Sequence, residues 1–199
     1  MTILGLDFDN TLVNYDDLFY NIAREKKLID KKTPRDKIVI RDILRAYSLE
    51  EEFTKIQGEV YGRRVEEARP TNDMLRNLVS LKERGLKLTI ISHKTRYPYK
   101  GPKYDLHKSA LRWMEKNNFF DVNGLDIQEK DVHFEETKEQ KVGKIIELGC
   151  TYFVDDLEEI IRMIPRNIKT YLYNEKGVYK NSKNWNNIAK DIKSELETG

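Results

Sequence analysis

Short apolar runs alternate with longer amphipathic stretches along this chain, and the two patterns predict strands and helices in turn. The apolar runs are four to six residues long and rich in branched side chains, which is typical of buried strands. In the stretches between them, apolar residues recur every three or four positions, which is typical of helices. The predicted strands cover residues 3–6, 86–91, 131–134, 151–154 and 169–173. This alternation predicts an α/β fold with a doubly wound, mainly parallel Rossmann-like sheet.

Polar residues follow three of the predicted strands at the points where the strands end. Asp7 and Asp9 follow the first strand, Ser92 follows the second, and Asp155 and Asp156 follow the fourth. Parallel strands end at one edge of a sheet, and open α/β sheets place their ligands there. Neighbouring carboxylates raise one another's pKa unless a cation neutralises them, and Mg²⁺ typically takes one or two carboxylates with substrate phosphate and water. The pattern therefore favours a Mg²⁺ site.

Each of these polar residues also has a simpler interpretation. Asp7 and Asp9 could form a polar turn, Ser92 could be a turn residue, and Asp156 could cap the next helix. Each simple interpretation is reasonable alone. All of them together, in this order and at the ends of strands, are a much less economical explanation than one shared site.

Residues 15–69 exceed what a crossover between the first two strands requires, because a helix over 71–85 is sufficient for it. We therefore expect a core domain of residues 1–14 and 70–199, and a small helical module of residues 15–69 inserted after the first strand. The module is either a structural decoration or a lid.

Two helix starts can be predicted within the inserted module. Thr33-Pro34 offers an N-cap followed by proline at the first helical position. Ser48 and Glu51 have the spacing of a capping box.

The composition narrows the class of protein. The chain has 36 basic and 34 acidic residues without a concentrated excess of one sign, which argues against a nucleic-acid partner. No apolar run approaches the roughly 18 residues of a membrane span, and there is no signal-peptide pattern at the N-terminus. The lone cysteine, Cys150, cannot form an internal disulfide. We expect a cytoplasmic protein without a membrane partner, present as a monomer or a homodimer.

In its motifs, the chain resembles the haloacid dehalogenase-like (HAD) superfamily of phosphohydrolases. The first motif of that superfamily, D-x-D-x-T, matches residues 7–11, and the second, an apolar strand ending in Ser or Thr, matches 89–92. The fourth, a strand ending in paired acids, matches residues 153–156. The third is a lysine near the start of the preceding helix, for which Lys138 fits best and Lys141 is the reserve candidate.

The resemblance implies a Mg²⁺-dependent phosphatase that acts through an aspartyl-phosphate. Asp7 would be the nucleophile and Asp9 the general acid and base, since an aspartate two residues after the nucleophile marks the phosphoryl-transfer members rather than the dehalogenases. Mg²⁺ would be held by Asp7, the main-chain carbonyl of Asp9, Asp155 and Asp156. The inserted module occupies the position of the superfamily's C1-type caps. Superfamily members with such a cap usually act on small metabolites, such as a sugar phosphate or a nucleotide.

The remaining candidate residues would bind the phosphoryl group or the rest of the substrate. The resemblance implies that Ser92 donates to a phosphoryl oxygen and that Lys138 stabilises charge on Asp7. Arg96 and Lys100 lie in a loop over 92–104 that has no acidic residue, and they are candidates for binding a second anionic group. An ordinary solvated basic loop is an equally good interpretation.

Two other kinds of protein could use similar residues. A phosphoaspartate receiver also has aspartates, a hydroxyl residue and a lysine, but its acid pair follows the first strand and its phosphorylated aspartate follows the third. A catalytically silent binding protein could retain the fold, although all four motif positions are filled here. A small phosphorylated metabolite therefore remains the expected partner.

Overall fold

A computed structural model describes residues 1–177 and 180–198, so parts of the predicted core domain, Val178, Tyr179 and Gly199, lie outside the described residues. Its strands in chain order are β1 (Ile3–Leu6), β2 (Val13–Asn14), β3 (Arg69–Pro70), β4 (Lys87–His93), β5 (Val132–Glu135), β6 (Tyr152–Asp155), β7 (Lys169–Tyr173) and β8 (Ser182–Lys183). Six of these form one sheet in the order β5-β4-β1-β6-β7-β8, and β2 pairs with β3 separately.

The strand pairings of the large sheet are parallel throughout. β1 lies between β4 and β6, and its residues Leu4 and Leu6 are fully buried. The predicted doubly wound parallel α/β sheet is confirmed. The edge strand β8 was not predicted, because its two residues, Ser182 and Lys183, carry no apolar pattern.

Helices occupy most of the remaining chain. They are α1 (Asp16–Glu25), α2 (Lys37–Ala46), α3 (Glu50–Gly58), α4 (Met74–Lys82), α5 (Leu106–Lys116), α6 (Lys138–Glu147), α7 (Glu158–Met163) and α8 (Trp185–Thr198). A π-helical turn follows α3 at Glu59–Arg63, and single 3₁₀ turns lie at Val65–Glu67 and Glu129–Asp131. Within the described ranges, none of these helices has both the length and the apolar character that a membrane span needs.

The chain divides into two compact units. The sheet unit comprises Met1–Val13, Pro70–Lys94 and Asn117–Gly199, and the helical unit comprises Asn14–Arg69 and Thr95–Lys116. The helical unit therefore includes the predicted module and also residues 95–116, which the sequence analysis placed in the core domain.

Contacts of α5 explain why this helix belongs to the helical unit. The indole N–H of Trp113 donates to the main-chain oxygen of Ala68 at 2.8 Å, and Arg112 pairs with Glu66 at 2.8 Å. A Cβ on Gly62 would lie 2.6 Å from the side chain of Tyr104, so the loop before α5 also packs closely on the π-helical turn. These contacts lie within the helical unit, which is why α5 groups with it rather than with the sheet.

Both predicted helix starts in the module are wrong. α2 begins at Lys37, because Asp36 rather than Thr33 accepts the free amide hydrogens, from Ile38 at 2.8 Å and Val39 at 3.1 Å. Ser48 does not cap α3: its φ of 59° is left-handed, and its amide donates to Arg45, so it closes α2 instead.

A continuous apolar core packs against the sheet and fixes its strands. On one side it includes Ile91, Ile145, Phe153 and Ile160, all fully buried. At the far end of the chain, the Trp185 indole at the start of α8 donates to the main-chain oxygen of Thr11 at 3.2 Å and to Thr71 Oγ1 at 3.0 Å. The turn after β1 is thereby tied to two distant parts of the sequence, at Thr71 and at Trp185.

Gly5 should tolerate no side chain. A Cβ there would lie 2.5 Å from Phe153 and 2.9 Å from Cys150 Sγ, so we expect Gly5→Ala to lower the free energy of unfolding by about 1–3 kcal/mol. Gly143 in α6 is the matched control, because its Cβ would meet nothing within 4 Å and Gly143→Ala should stabilise the helix by roughly 0.5–1 kcal/mol. Urea unfolding of both variants measures the difference, and equal midpoints would show that the Gly5 contact is not restrictive.

Candidate active site

Asp7 is the first residue after β1, at the carboxyl edge of the sheet. Its amide donates to the main-chain oxygen of Val154 in β6 at 2.9 Å, which extends the strand pairing by one residue and fixes the backbone of Asp7 beside the end of β6. The residue is only 5% exposed. The first strand therefore delivers this carboxylate into the interior rather than to the surface.

A tight turn follows Asp7 and returns a hydroxyl to it. The amides of Leu12 and Val13 both donate to the main-chain oxygen of Phe8, at 3.0 and 3.3 Å, and Asn10 adopts a left-handed φ of 62°, which asparagine tolerates better than most residues. The buried Thr11 Oγ1 then donates to Asp7 Oδ2 at 3.3 Å. The threonine of D-x-D-x-T thus helps to orient the first aspartate.

Asp155 and Asp156 lie beside Asp7, as the strand pattern predicted. Asp155 ends β6, is fully buried, and accepts a hydrogen bond from the Leu157 amide at 2.8 Å. Asp156 is partly buried and accepts from Asn10 Nδ2 at 3.3 Å. One carboxylate oxygen from each of Asp7, Asp155 and Asp156 lies within 4.8 Å of the others. The three carboxylates are therefore close enough to share one cation.

Lys141, not Lys138, is the lysine at these carboxylates. Lys141 Nζ lies 2.5 Å from Asp7 Oδ1 and 2.6 Å from Asp155 Oδ2, and the residue is 1% exposed. Lys138 instead pairs with Glu159 at the surface. The structure thus corrects the choice of Lys138 as the lysine of the site. Lys138 is the first residue of α6, and Lys141 lies on the same face of the helix, about 4.5 Å further along its axis.

Burial and mutual repulsion set the electrostatics of this group. Burial raises the pKa of Asp7 to about 7, the attraction of Lys141 opposes the rise, and the charges of Asp155 and Asp9 add to it. Burial also raises the pKa of Asp155. Burial disfavours the charged form of Lys141, but the two carboxylates outweigh that effect, so its pKa is raised. Lys141 therefore stays an ammonium that partly neutralises the site.

Ser92 reaches the same edge of the sheet from β4. Ile90 pairs with Leu6 in the parallel register, so Ser92 lies two residues further along, beyond the end of β1. It is 1% exposed, and its Oγ has no hydrogen-bond partner among the residues that the structure describes. An unpaired buried hydroxyl is costly, so an oxygen that could accept from it is expected at this position. The neighbouring His93 forms a hydrogen bond through Nε2 with the main-chain oxygen of Glu136, at 3.1 Å.

Asp9 has a partner that the sequence analysis did not select. Lys94 Nζ lies 2.9 Å from Asp9 Oδ1 and 2.7 Å from Oδ2. Successive residues of a strand point to opposite faces, so Ser92 and Lys94 share a face. That alternation is the signal in the sequence that could have identified Lys94.

Arg96 and Lys100 belong to the helical unit and have carboxylate partners there. Arg96 pairs with Asp105 at 3.2 Å and Lys100 with Glu51 at 3.0 Å, and all but Asp105 are substantially exposed. Substrate binding by these two side chains stays a prediction.

The charges and donor atoms of the site fit a hard divalent cation. Asp7, Asp9, Asp155 and Asp156 place four carboxyl groups at this edge of the sheet, and the ammonium groups of Lys94 and Lys141 contact three of them. Mg²⁺ prefers oxygen ligands and is usually bound by one or two carboxylates with water and phosphate. The three clustered carboxylates therefore suit Mg²⁺ in charge and in chemistry.

Comparisons with known proteins find likeness in structure and none in sequence. No family model matches the sequence, and no curated protein matches it.

Several solved hydrolases share the architecture across the whole chain. A HAD-superfamily hydrolase from Ehrlichia chaffeensis matches with a TM-score of 0.57 and 14% sequence identity over 98% of both chains. A haloacid dehalogenase-like hydrolase from Burkholderia xenovorans matches with a TM-score of 0.54 and 14% sequence identity, again over 98% of both chains. A haloacid dehalogenase-like hydrolase from Xanthomonas campestris matches with a TM-score of 0.50 and 8% sequence identity, over 100% of this chain and 96% of that hydrolase. At these identities the likeness concerns the fold, and this chain has the fold of the haloacid dehalogenase-like hydrolases.

Proposed function

We propose that this protein is a Mg²⁺-dependent hydrolase of the haloacid dehalogenase type that removes phosphate from a small phosphorylated metabolite. The observation that carries the proposal is the gathering of Asp7, Asp155 and Asp156 within 4.8 Å around one buried lysine. Residues from three separate parts of the chain, Asp7, Lys141 and the pair Asp155 and Asp156, meet at the sheet edge where open α/β folds bind their ligands.

Asp7 is the proposed nucleophile. Thr11 and Lys141 hold its two oxygens, at 3.3 and 2.5 Å, and leave lone pairs on both. One oxygen attacks phosphorus in line with the ester bond, so that an aspartyl-phosphate forms as the alcohol leaves. A phosphate dianion repels a carboxylate, so this step requires positive charge around both groups.

Lys141 and Ser92 are the proposed donors to the transferring group. The ammonium offsets charge on Asp7, and the buried Ser92 hydroxyl, without a partner in the described part of the chain, is free to donate to a phosphoryl oxygen. Preorganised donors in a buried site lower the barrier because they need no reorientation during the reaction.

Mg²⁺ would be held by the carboxylates of Asp7, Asp155 and Asp156 and by the main-chain carbonyl of Asp9. It would supply Lewis-acid stabilisation of the phosphoryl oxygens. Asp9 is the proposed general acid and base. It protonates the departing oxygen and then takes a proton from the attacking water.

The helical unit is the proposed lid, in the manner of a C1-type cap. Its first segment is inserted directly after the turn that carries Asp9, where the capped members have theirs. A lid would restrict the substrate to a small molecule such as a sugar phosphate or a nucleotide. Arg96 and Lys100, both in the second segment of this unit, are the proposed contacts to a second anionic group. We further propose that the protein acts in the cytoplasm, as a monomer or a homodimer, which its lone buried cysteine Cys150 suits.

Replacement of the nucleophile should abolish turnover. We expect Asp7→Asn to lower Mg²⁺-dependent phosphate release from p-nitrophenyl phosphate by about 10³-fold or more. Asp131→Asn, which breaks a salt bridge to Lys87 away from the carboxylate cluster, is the control and should keep wild-type activity. Full activity in Asp7→Asn would remove Asp7 as nucleophile. A wild-type protein that retains one phosphate and releases no more would instead be a receiver.

Replacement of the two candidate lysines should have clearly different effects on stability and activity. Lys141→Met leaves two buried carboxylates without their ammonium, so we expect a loss of about 3–5 kcal/mol in stability together with loss of phosphatase activity. Lys138→Met removes only a surface pair, and its effect should stay within about 1 kcal/mol with activity retained. Urea unfolding and phosphate release on both variants make the comparison. Equal behaviour of the two would contradict the site described above.

Mg²⁺ binding can be measured without any substrate. A ligand that binds only the folded state stabilises it by about 2.7 kcal/mol at 100 times its Kd, which corresponds to a rise in Tm of roughly 5–10 °C for a chain of this size. We expect Mg²⁺ to raise the Tm of the wild type and of Asp131→Asn, and to raise that of Asp156→Asn much less. A uniform rise in all three would place the cation elsewhere.

A further inference from the structure

Lys94 is a buried lysine to which the proposed mechanism assigns no role. It follows directly after β4 and is 4% exposed, although lysine is among the residues least often buried. Its amide donates to the main-chain oxygen of Glu135 at 2.8 Å, which continues the pairing of β4 with β5 past the end of the strand. The backbone beneath this side chain is therefore fixed.

The contact between Lys94 and Asp9 is made at two points. Nζ lies within 2.9 Å of both carboxylate oxygens, which restrains the carboxylate plane as well as its position. The Lys94 side chain is 3% exposed, whereas that of Asp9 is 24% exposed. The covered ammonium thus holds the carboxyl group from the protein side while leaving part of it accessible.

We infer that Lys94 is a positioning residue that holds the Asp9 carboxyl group in the orientation for proton transfer. This inference rests on the proposed function. In the first step an Asp7 oxygen bonds to phosphorus, the ester P–O bond breaks, and the Asp9 proton passes to the departing oxygen. In the second step a water oxygen bonds to phosphorus, the Asp7–phosphorus bond breaks, and one water proton returns to Asp9. Lys94 transfers no proton and acts only through Asp9.

A series of phosphate esters with different leaving groups tests this role. Phenoxide leaves poorly and needs a proton from a general acid, whereas 2,4-dinitrophenolate leaves without one. The value of kcat/KM reports the steps up to departure of the leaving group, so it isolates the proton donation. We compare Lys94→Met with Lys87→Met, which removes the ion-paired lysine at the start of β4.

The expected result is a loss that depends on the leaving group. Lys94→Met should lower kcat/KM for phenyl phosphate by about 10²-fold and for 2,4-dinitrophenyl phosphate by less than about threefold. Lys87→Met should match the wild type on both. An equal loss on both esters in Lys94→Met would overturn the inference, because a disturbed structure or lost phosphate binding slows every ester alike. No loss on either ester would overturn it too.

A double-mutant cycle shows whether Lys94 works through Asp9. In an Asp9→Asn background, Lys94→Met should change kcat/KM for phenyl phosphate by less than about threefold, because the group that it positions is already gone. A second full loss would mean that Lys94 contacts the substrate itself, and the inference would fail.

Two further measurements keep these outcomes separable. Circular dichroism checks that each variant is folded. If Lys94→Met is not, Lys94→Ala replaces it and should show the same dependence on the leaving group, since it also lacks the donor that contacts both Asp9 oxygens. A wild type that hydrolyses neither ester would overturn the proposed function and the role of Lys94 together. An active wild type with a uniform loss in the variant overturns only the latter.

Discussion

One buried ammonium neutralising two buried carboxylates is the interaction on which the site and its surroundings depend. Lys141 comes from α6, Asp7 from the end of β1 and Asp155 from the end of β6, so the contact forms only when these elements are assembled in register. Burial alone would raise the pKa of both acids, and Lys141 opposes that rise. The same contact thus opposes protonation of the proposed nucleophile and ties α6 to the centre of the sheet.

The sheet could be predicted because its information is local. Each central strand contains a short run of branched or aromatic apolar residues, and this pattern stays the same wherever the strand lies in the sheet. The packing partner of α5 could not be predicted, because a buried stripe on a helix does not specify what covers it. Asp36 was missed as a helix start because Thr33-Pro34 fits the local rule as well, and only the folded backbone selects between them.

The acids of the site were predictable and its lysines were not, for a related physical reason. An aspartate is short, so its carboxylate lies where the backbone places it, and the end of a strand is readable from the sequence. A lysine reaches several ångströms from its backbone, so helical phase and depth decide where its ammonium lies. Lys138 and Lys141 differ by one turn, and only the position of α6 on the sheet favours Lys141. To predict the position of Lys94, one must know that the alternation of side chains along β4 continues past the end of the strand.

The helical unit is built from two separate pieces of chain, and this restricts how it can be exchanged between proteins. The first piece ends at Arg69, and the second carries Trp113, whose indole bonds to Ala68. A chimera that received only the first piece would leave the main-chain oxygen of Ala68 without its donor and Gly62 without the tyrosine that packs against it. Transplantation of this unit into another scaffold therefore needs two grafts made together, one after β1 and one after β4.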